Sequence, residues 1–179
     1  MMRICIIGLG YVGLPICLKS STKFQTVGFD TNRTRIKNLK NNFDQNNEYQ
    51  KKDFINKKIL FTDKILDIKN CNFYIICVPT PVNKKNEPNL VPIKNSFNTI
   101  SKVLDTNDII ILESTVYPGV TSKFTKILEK KSKLIHNKDF FIGYSPERIN
   151  PGDKENSLTN INKIIALNTN NKIVTNKVK

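Results

Sequence analysis

Three glycines in the run Gly8-Leu9-Gly10-Tyr11-Val12-Gly13 stand directly after the apolar run Ile4-Cys5-Ile6-Ile7 and directly before a stretch of helical spacing. Glycine at the first position permits a tight turn, at the second lets backbone approach a diphosphate, and at the third lets the following helix pack closely on the strand. The N–H groups opening that helix would hold the phosphates, where the helix dipole favours negative charge. A glycine pattern alone has little specificity. What completes it is Asp30, which closes the run Thr26-Val27-Gly28-Phe29, 22 residues after Gly8. A carboxylate there can accept both hydroxyls of an adenosine ribose and repels a 2′-phosphate, so the reading is NAD over NADP, with Arg33 and Arg35 as the nearby residues that would suit the phosphate. The bland alternative is a set of turn glycines and a helix-capping Asp30. It leaves the order of strand, glycines, helix and acid unexplained.

The elements that must position these residues follow from apolar spacing. Ile4 to Ile7 reads as a strand buried on both faces of a parallel sheet. Residues 12–21 have helical spacing, and Thr31 or Asn32 can cap a helix running to about Leu39. Residues 40–58, dense in Asn, Gln and Lys, predict a solvated helix or long loop with little core contact. Strands resume at Ile59-Leu60-Phe61 and at Phe73-Tyr74-Ile75-Ile76-Cys77-Val78, which Pro79 and Pro81 break. Pro92 suits the first turn of a helix to about Leu104, with Ile93, Phe97, Ile100, Val103 and Leu104 on one face. A strand over residues 109–112, a helix over 119–131, a strand over 140–143 and a last strand over 161–167 complete the pattern. Strands alternating with helical stretches of about a dozen residues predict an α/β fold, a doubly wound parallel sheet of the Rossmann type in a single domain.

Composition narrows the class. A chain of 179 residues suits one domain with a proper core, and 39% hydrophobic and 25% charged residues are ordinary for a globular protein. The net charge of +14 raises polyanion binding. The excess is Lys in scattered pairs without interleaved aromatics, which argues for compositional drift and against nucleic acid as a partner. Cys5, Cys17, Cys71 and Cys77 lie in or beside apolar runs without metal-ligand spacing, so they read as buried thiols of raised pKa, and no metal is expected. His136 reads as a surface-loop residue. No apolar stretch reaches the roughly 18 residues that span a bilayer. The start of the chain lacks the cleavage site of a signal peptide, so a cytoplasmic location without membrane contact is expected.

Three further segments are Val78-Pro79-Thr80-Pro81, Glu113-Ser114-Thr115-Val116-Tyr117-Pro118-Gly119 and Tyr144-Ser145-Pro146-Glu147-Arg148-Ile149-Asn150-Pro151-Gly152. Thr80, Thr115 and Glu147 all follow expected strand ends, on the sheet edge where a doubly wound fold places its ligand. Together with Gly8-Leu9-Gly10-Tyr11-Val12-Gly13-Leu14-Pro15, these segments resemble the UDP-glucose/GDP-mannose dehydrogenase family, in family order and over nearly the whole chain. The resemblance is to the NAD-binding domain, and within the family to the branch acting on UDP-N-acetylhexosamines.

The resemblance implies an NAD-dependent oxidation of the C6 alcohol of a UDP-sugar to a carboxylate in two hydride transfers, with products that feed surface-polysaccharide synthesis. It implies that Gly8, Gly10, Tyr11, Val12, Gly13, Asp30, Arg35, Pro79, Thr80 and Thr115 contact the cofactor. Thr115 and Glu147 would serve the chemistry, Thr115 by helping to hold a water, while Glu147, Arg148 and Ile149 would touch the UDP-sugar substrate. In the UDP-glucose branch a second glutamate lies four positions after the one matching Glu147. Here that position is Pro151, as in the N-acetylhexosamine branch, so its acid-base role is not carried over. The family holds its aldehyde intermediate on a cysteine that none of the four here matches. The expectation is therefore a cofactor half, residues 1–179, without the central helix and C-terminal UDP-sugar domain, inactive alone and possible partner of a separately encoded second domain. Full-length family members are expected to be homo-oligomers. The rival readings are a non-catalytic NAD-binding fragment or truncated product, and a basic nucleic-acid binder whose affinity would fall steeply with salt.

Overall fold

The short apolar runs become strands and the amphipathic stretches become helices in the computed structural model, which describes residues 1–146, 164–167 and 169–178. In chain order they are β1 (Arg3–Ile7), α1 (Gly13–Ser20), β2 (Gln25–Phe29), α2 (Arg33–Lys40), β3 (Ile59–Thr62), β4 (Phe73–Ile76), α3 (Val91–Ile100), β5 (Asp108–Leu112), α4 (Val120–Ser132), β6 (Phe140–Tyr144), β7 (Ala166–Leu167) and α5 (Lys172–Val178). The strands form one sheet in the order β3-β2-β1-β4-β5-β6-β7. The first six are parallel, and β7 alone runs antiparallel, through Gly143 with Leu167 and Tyr144 with Ala166. The fold is the doubly wound α/β sheet expected from the sequence.

Side chains alternate across a strand, so each strand feeds both faces of the sheet. Ile4 and Ile6 of β1, with Ile109, Ile111 and Phe141, pack under Leu14, Cys17 and Leu18 of α1, Ile36 and Leu39 of α2, and Val174 of α5. Cys5, Ile7, Tyr74, Ile76, Ile110 and Leu112 face the other way, onto Ile93, Phe97 and Ile100 of α3 and Val120, Phe124 and Leu128 of α4. Phe97 and Phe124 stack between those two helices with ring centroids 5.1 Å apart. Their burial contributes about 2–3 kcal/mol each. After β3 the chain returns to the far side of β1 to lay down β4. The crossover direction reverses between β1 and β4, and a crevice opens at their C-terminal ends.

Of the two residues expected to cap α2 it is Asn32 that does so, its side chain accepting the Arg35 N–H at 3.0 Å. Other local expectations need correction. Helix α3 ends at Ile100 and not near Leu104, because the Ser101 hydroxyl turns back to the Asn98 carbonyl and Val103 and Leu104 both donate to Ile100. Val103 is still buried, delivered by a turn. Residues 40–58 touch the core after all: Asp44 and Phe54 are buried, and Phe54 meets Phe61 edge to face at 6.4 Å. The last strand comprises Ala166–Leu167, and residues 161–163 of the expected span lie outside the described residues.

The abundance of Asn has a structural use. Seven described non-glycine residues have positive φ, and six of them are Asn: 42, 47, 56, 86, 107 and 137. Asn tolerates the left-handed region because its short amide can bond locally, so it closes turns where other chains use Gly. The four cysteines are buried and unjoined. Burial pushes the Cys5 and Cys17 thiols well up, as expected. Cys71 departs from that expectation, drawn down by a hydrogen bond from Cys5 and, more weakly, by nearby Arg3. His136 is half-buried in the loop before β6, its ring 5.6 Å from that of Phe140, and burial lowers its pKa. Among the described residues no helix is long and apolar enough to cross a membrane, and no group of His, Cys, Asp and Glu is placed to hold a metal ion.

Candidate cofactor-binding site

The turn out of β1 requires its first glycine. Gly8 has φ of +90°, a region that L side chains rarely adopt, and its N–H donates to the Phe29 carbonyl, tying the ends of β1 and β2 together. Gly13 is required for space: a Cβ there would lie 1.8 Å from the Gly8 carbonyl oxygen, which is how closely α1 rides on the turn. Gly10 differs from both. A Cβ there would meet nothing within 4 Å, so the backbone is bare where it faces the crevice. Helix α1 opens at Val12 without a capping side chain, and no acidic residue stands in its first turn. The Leu14 and Ile16 N–H groups donate to the Gly10 and Val12 carbonyls at 3.2 and 3.4 Å and Pro15 has none, so the Gly13 N–H and the positive end of the dipole are what the helix leaves for an anion. These three observations fit a diphosphate over the glycine loop.

Asp30 closes β2 beside that loop. Its Oδ2 accepts the Leu9 N–H and its Oδ1 the Asn32 N–H, both at 2.8 Å. Each carboxylate oxygen keeps a further lone pair, so a ribose diol can be accepted without giving up either backbone bond. Arg35 is buried: its Nε donates to the Leu9 carbonyl at 2.8 Å and its Nη1 to Asp44 at 2.6 Å. Arg33 is held by Asp63 at 3.2 Å on the exposed rim.

The crevice between β1 and β4 has a volume of about 520 Å³, within the range of small-molecule and cofactor sites. Gly8, Leu9, Gly10, Asp30, Thr31, Asn32 and Arg35 line it on the β2 side together with Gln45 and Asn46, and Cys77, Val78, Pro79, Val91 and Pro92 line the β4 side. Tyr11 is exposed at the loop tip and Val12 half-buried. Thr80 and Thr115 stand beyond this crevice at the ends of β4 and β5, where the Thr80 hydroxyl donates to the Thr115 carbonyl at 2.9 Å. Thr115 is exposed. Ser114 is buried and donates to the Val78 carbonyl at 2.6 Å, locking the two loops to each other. The structure thus brings Gly8, Gly10, Asp30, Arg35 and Pro79 around one opening, with Gly13 buried behind the loop and Thr80 and Thr115 beside the opening. Glu147, Arg148 and Ile149 lie outside the described residues.

Sequence reasoning missed Asp44, Gln45, Asn46 and Ser114. Ser114 sits inside a segment already singled out, and a buried Arg35 would have demanded a counter-charge. Nothing local marks Gln45 or Asn46.

The profile of the UDP-glucose/GDP-mannose dehydrogenase family, NAD binding domain, matches residues 2–178. The chain is 49% identical over 170 residues to UDP-N-acetyl-D-glucosamine 6-dehydrogenase of Salmonella typhi, covering 94% of this chain and 40% of that protein. It is 46% identical over 165 residues to protein CapL of Staphylococcus aureus, covering 92% and 39%. The structure of UDP-D-ManNAc dehydrogenase from Pyrococcus horikoshii superposes with a TM-score of 0.89 at 31% identity, over 99% of this chain and 43% of that one. The chain thus spans about 40% of the length of the curated relatives it matches. Profile, relatives and a glycine loop shaped for a diphosphate agree: this chain belongs to the UDP-glucose/GDP-mannose dehydrogenase family and spans its NAD-binding domain.

Proposed function

We propose that the chain supplies the cofactor half of an NAD-dependent 6-dehydrogenase acting on a UDP-N-acetylhexosamine, making the uronic acid for surface-polysaccharide synthesis. The observation that carries this reading is the bare backbone at Gly10 beside a ribose-ready Asp30, in a chain whose relatives include UDP-N-acetyl-D-glucosamine and UDP-N-acetyl-D-mannosamine dehydrogenases. Gly8 to Gly13, with Tyr11 and Val12, would bind the diphosphate through backbone. Asp30 would orient the adenosine ribose, and Arg35 would fix the loop from beneath. Pro79, Thr80 and Thr115 would border the nicotinamide end, because the crevice runs from β2 towards β5 and the adenosine end is set by Asp30. NAD supplies the hydride acceptor. Thr115, with Glu147, would serve the reacting carbon, the former by holding a water at its exposed hydroxyl, and Arg148 and Ile149 would join Glu147 against the sugar nucleotide. A planar guanidinium suits a diphosphate. A cytoplasmic setting goes with this reading, since its substrates are cytosolic metabolites.

The nucleophilic cysteine and most of the uridine pocket would come from polypeptide outside these 179 residues. Positioning of the sugar against the cofactor can account for about 7–11 kcal/mol of the barrier, and a site walled on one side cannot provide it. The test follows NADH formation by the purified chain with UDP-N-acetylglucosamine and UDP-N-acetylgalactosamine, alone and mixed with a separately expressed sugar-binding domain. Activity on mixing only supports the proposal. Turnover by the chain alone refutes the division of labour, and NAD binding without turnover in either arm favours the second reading, a non-catalytic NAD-binding fragment.

A further inference from the structure

Leu9, between the first two glycines of the loop, is gripped through both of its backbone polar groups: its N–H by Asp30 and its carbonyl by Arg35 Nε, each at 2.8 Å. Arg35 in turn donates through Nη1 to Asp44 Oδ1, and the two side chains are only 7% and 0% exposed. Burying such a pair is costly unless its polar atoms are satisfied. Asp44 meets that condition fully. Its Oδ1 also accepts the Asn46 N–H at 3.2 Å, and its Oδ2 accepts those of Glu48 and Tyr49 at 3.1 and 3.2 Å. Four donors use the carboxylate's whole capacity. Arg35 does not meet it, because its Nη2 is buried without a partner in a residue that lines the crevice.

Residues 44–49 are therefore folded about one carboxylate, and that carboxylate is pinned through Arg35 to the glycine loop. Gln45 and Asn46 are thereby presented to the crevice on the side of Asp30, and the Gln45 amide oxygen is held by Asn38 Nδ2 at 2.9 Å. A segment serving only to connect α2 to β3 would need neither the buried charge nor the tether.

We propose that Asp44 is a positioning residue for the cofactor crevice: acting through Arg35, it ties residues 44–49 to the glycine loop so that Gln45 and Asn46 wall the adenosine half of the dinucleotide. This rests on the reading that NAD occupies the crevice with its adenosine ribose at Asp30. A merely structural ion pair would change the stability of the fold and leave the affinity of the folded protein unaltered.

The experiment titrates the chain, the Asp44→Asn variant and the Gln45→Ala/Asn46→Ala double variant with NAD and with ADP-ribose by calorimetry, at a temperature where circular dichroism shows each folded. The double variant keeps every backbone donor to Asp44, so it carries the test even if Asp44→Asn fails to fold. The expected result is a loss of about tenfold for both ligands in Asp44→Asn, the scale of one charge-assisted hydrogen bond, and a smaller loss for both in the double variant. The ratio of NAD to ADP-ribose affinity should hold at its parent value, because the nicotinamide end is untouched. Undiminished ADP-ribose affinity in the double variant overturns the inference alone. A parent chain that binds neither ligand overturns the cofactor reading and this inference with it.

Discussion

Alanine at Gly13 and alanine at Gly10 should damage different properties of the protein, although both lie in one six-residue loop. At Gly13 the added methyl would sit 1.8 Å from the Gly8 carbonyl oxygen, where ordinary contact begins near 3.4 Å. Helix α1 would have to lift by more than about 1.5 Å from a backbone atom that cannot rotate away. Overpacking of this kind costs about 1–3 kcal/mol, and the upper end applies when the obstacle is backbone. For a domain of this size about 3 kcal/mol lowers Tm by roughly 6–12 °C. At Gly10 there is nothing within 4 Å to meet, and its φ is not positive. Alanine there should hold stability or raise it by about 0.4–1 kcal/mol through the unfolded chain. The same methyl would occupy space the diphosphate must enter, at a cost of about 1–3 kcal/mol, or roughly fivefold to more than a hundredfold in affinity. Differential scanning calorimetry and NAD titration of both variants decide the matter. A Gly13→Ala protein melting with the parent, or a Gly10→Ala protein binding NAD like the parent, would refute the assignment of these two roles.

Asp30→Ala should weaken NAD by about one to two orders of magnitude, since hydrogen bonds to a charged group contribute about 1.5–3 kcal/mol. Its advantage over NADP should narrow with it, and unchanged NAD affinity by calorimetry would remove Asp30 from the site. Asp108 is 2% exposed, and burial pushes its carboxyl up to about 7, although the Asp105 N–H bonded to it pulls the other way. Its folded value lies above the unfolded one, so the native state binds more protons between about pH 4 and 7, and stability falls as pH rises through that window. Asp108→Asn keeps an acceptor for Asp105 and should flatten this slope, which urea midpoints at pH 5 and pH 8 would show; equal slopes in both proteins would contradict it. The four buried cysteines should resist a thiol reagent at neutral pH while the fold is intact. Should the protein be loosened by mild urea, Cys71, drawn down by Cys5, should react before Cys5 and Cys17, and fast labelling of the native chain would count against this.

The sheet and its cofactor edge were legible in the sequence because their signals are local. The run Ile4-Cys5-Ile6-Ile7 needs both faces covered whatever covers them, Gly8 and Gly13 answer to a turn and a close approach within six residues, and Asp30 is placed by the length of one βαβ step. What tertiary structure decided is which distant groups meet. Residues 40–58 are polar by composition, yet Asp44 is fully buried because Arg35 stands beside it, and Arg35 is buried because the Leu9 carbonyl, 26 positions away, needs a donor. Thr80 and Thr115 both lie at strand ends by pattern, but only the pairing of β4 with β5 sets the hydroxyl of one against the carbonyl of the other. Periodicity records which side of an element is apolar. The partner of a buried charge or a loop hydroxyl is fixed by sheet order and register, which arise from the packing of the whole chain and leave no mark in the few residues around each group.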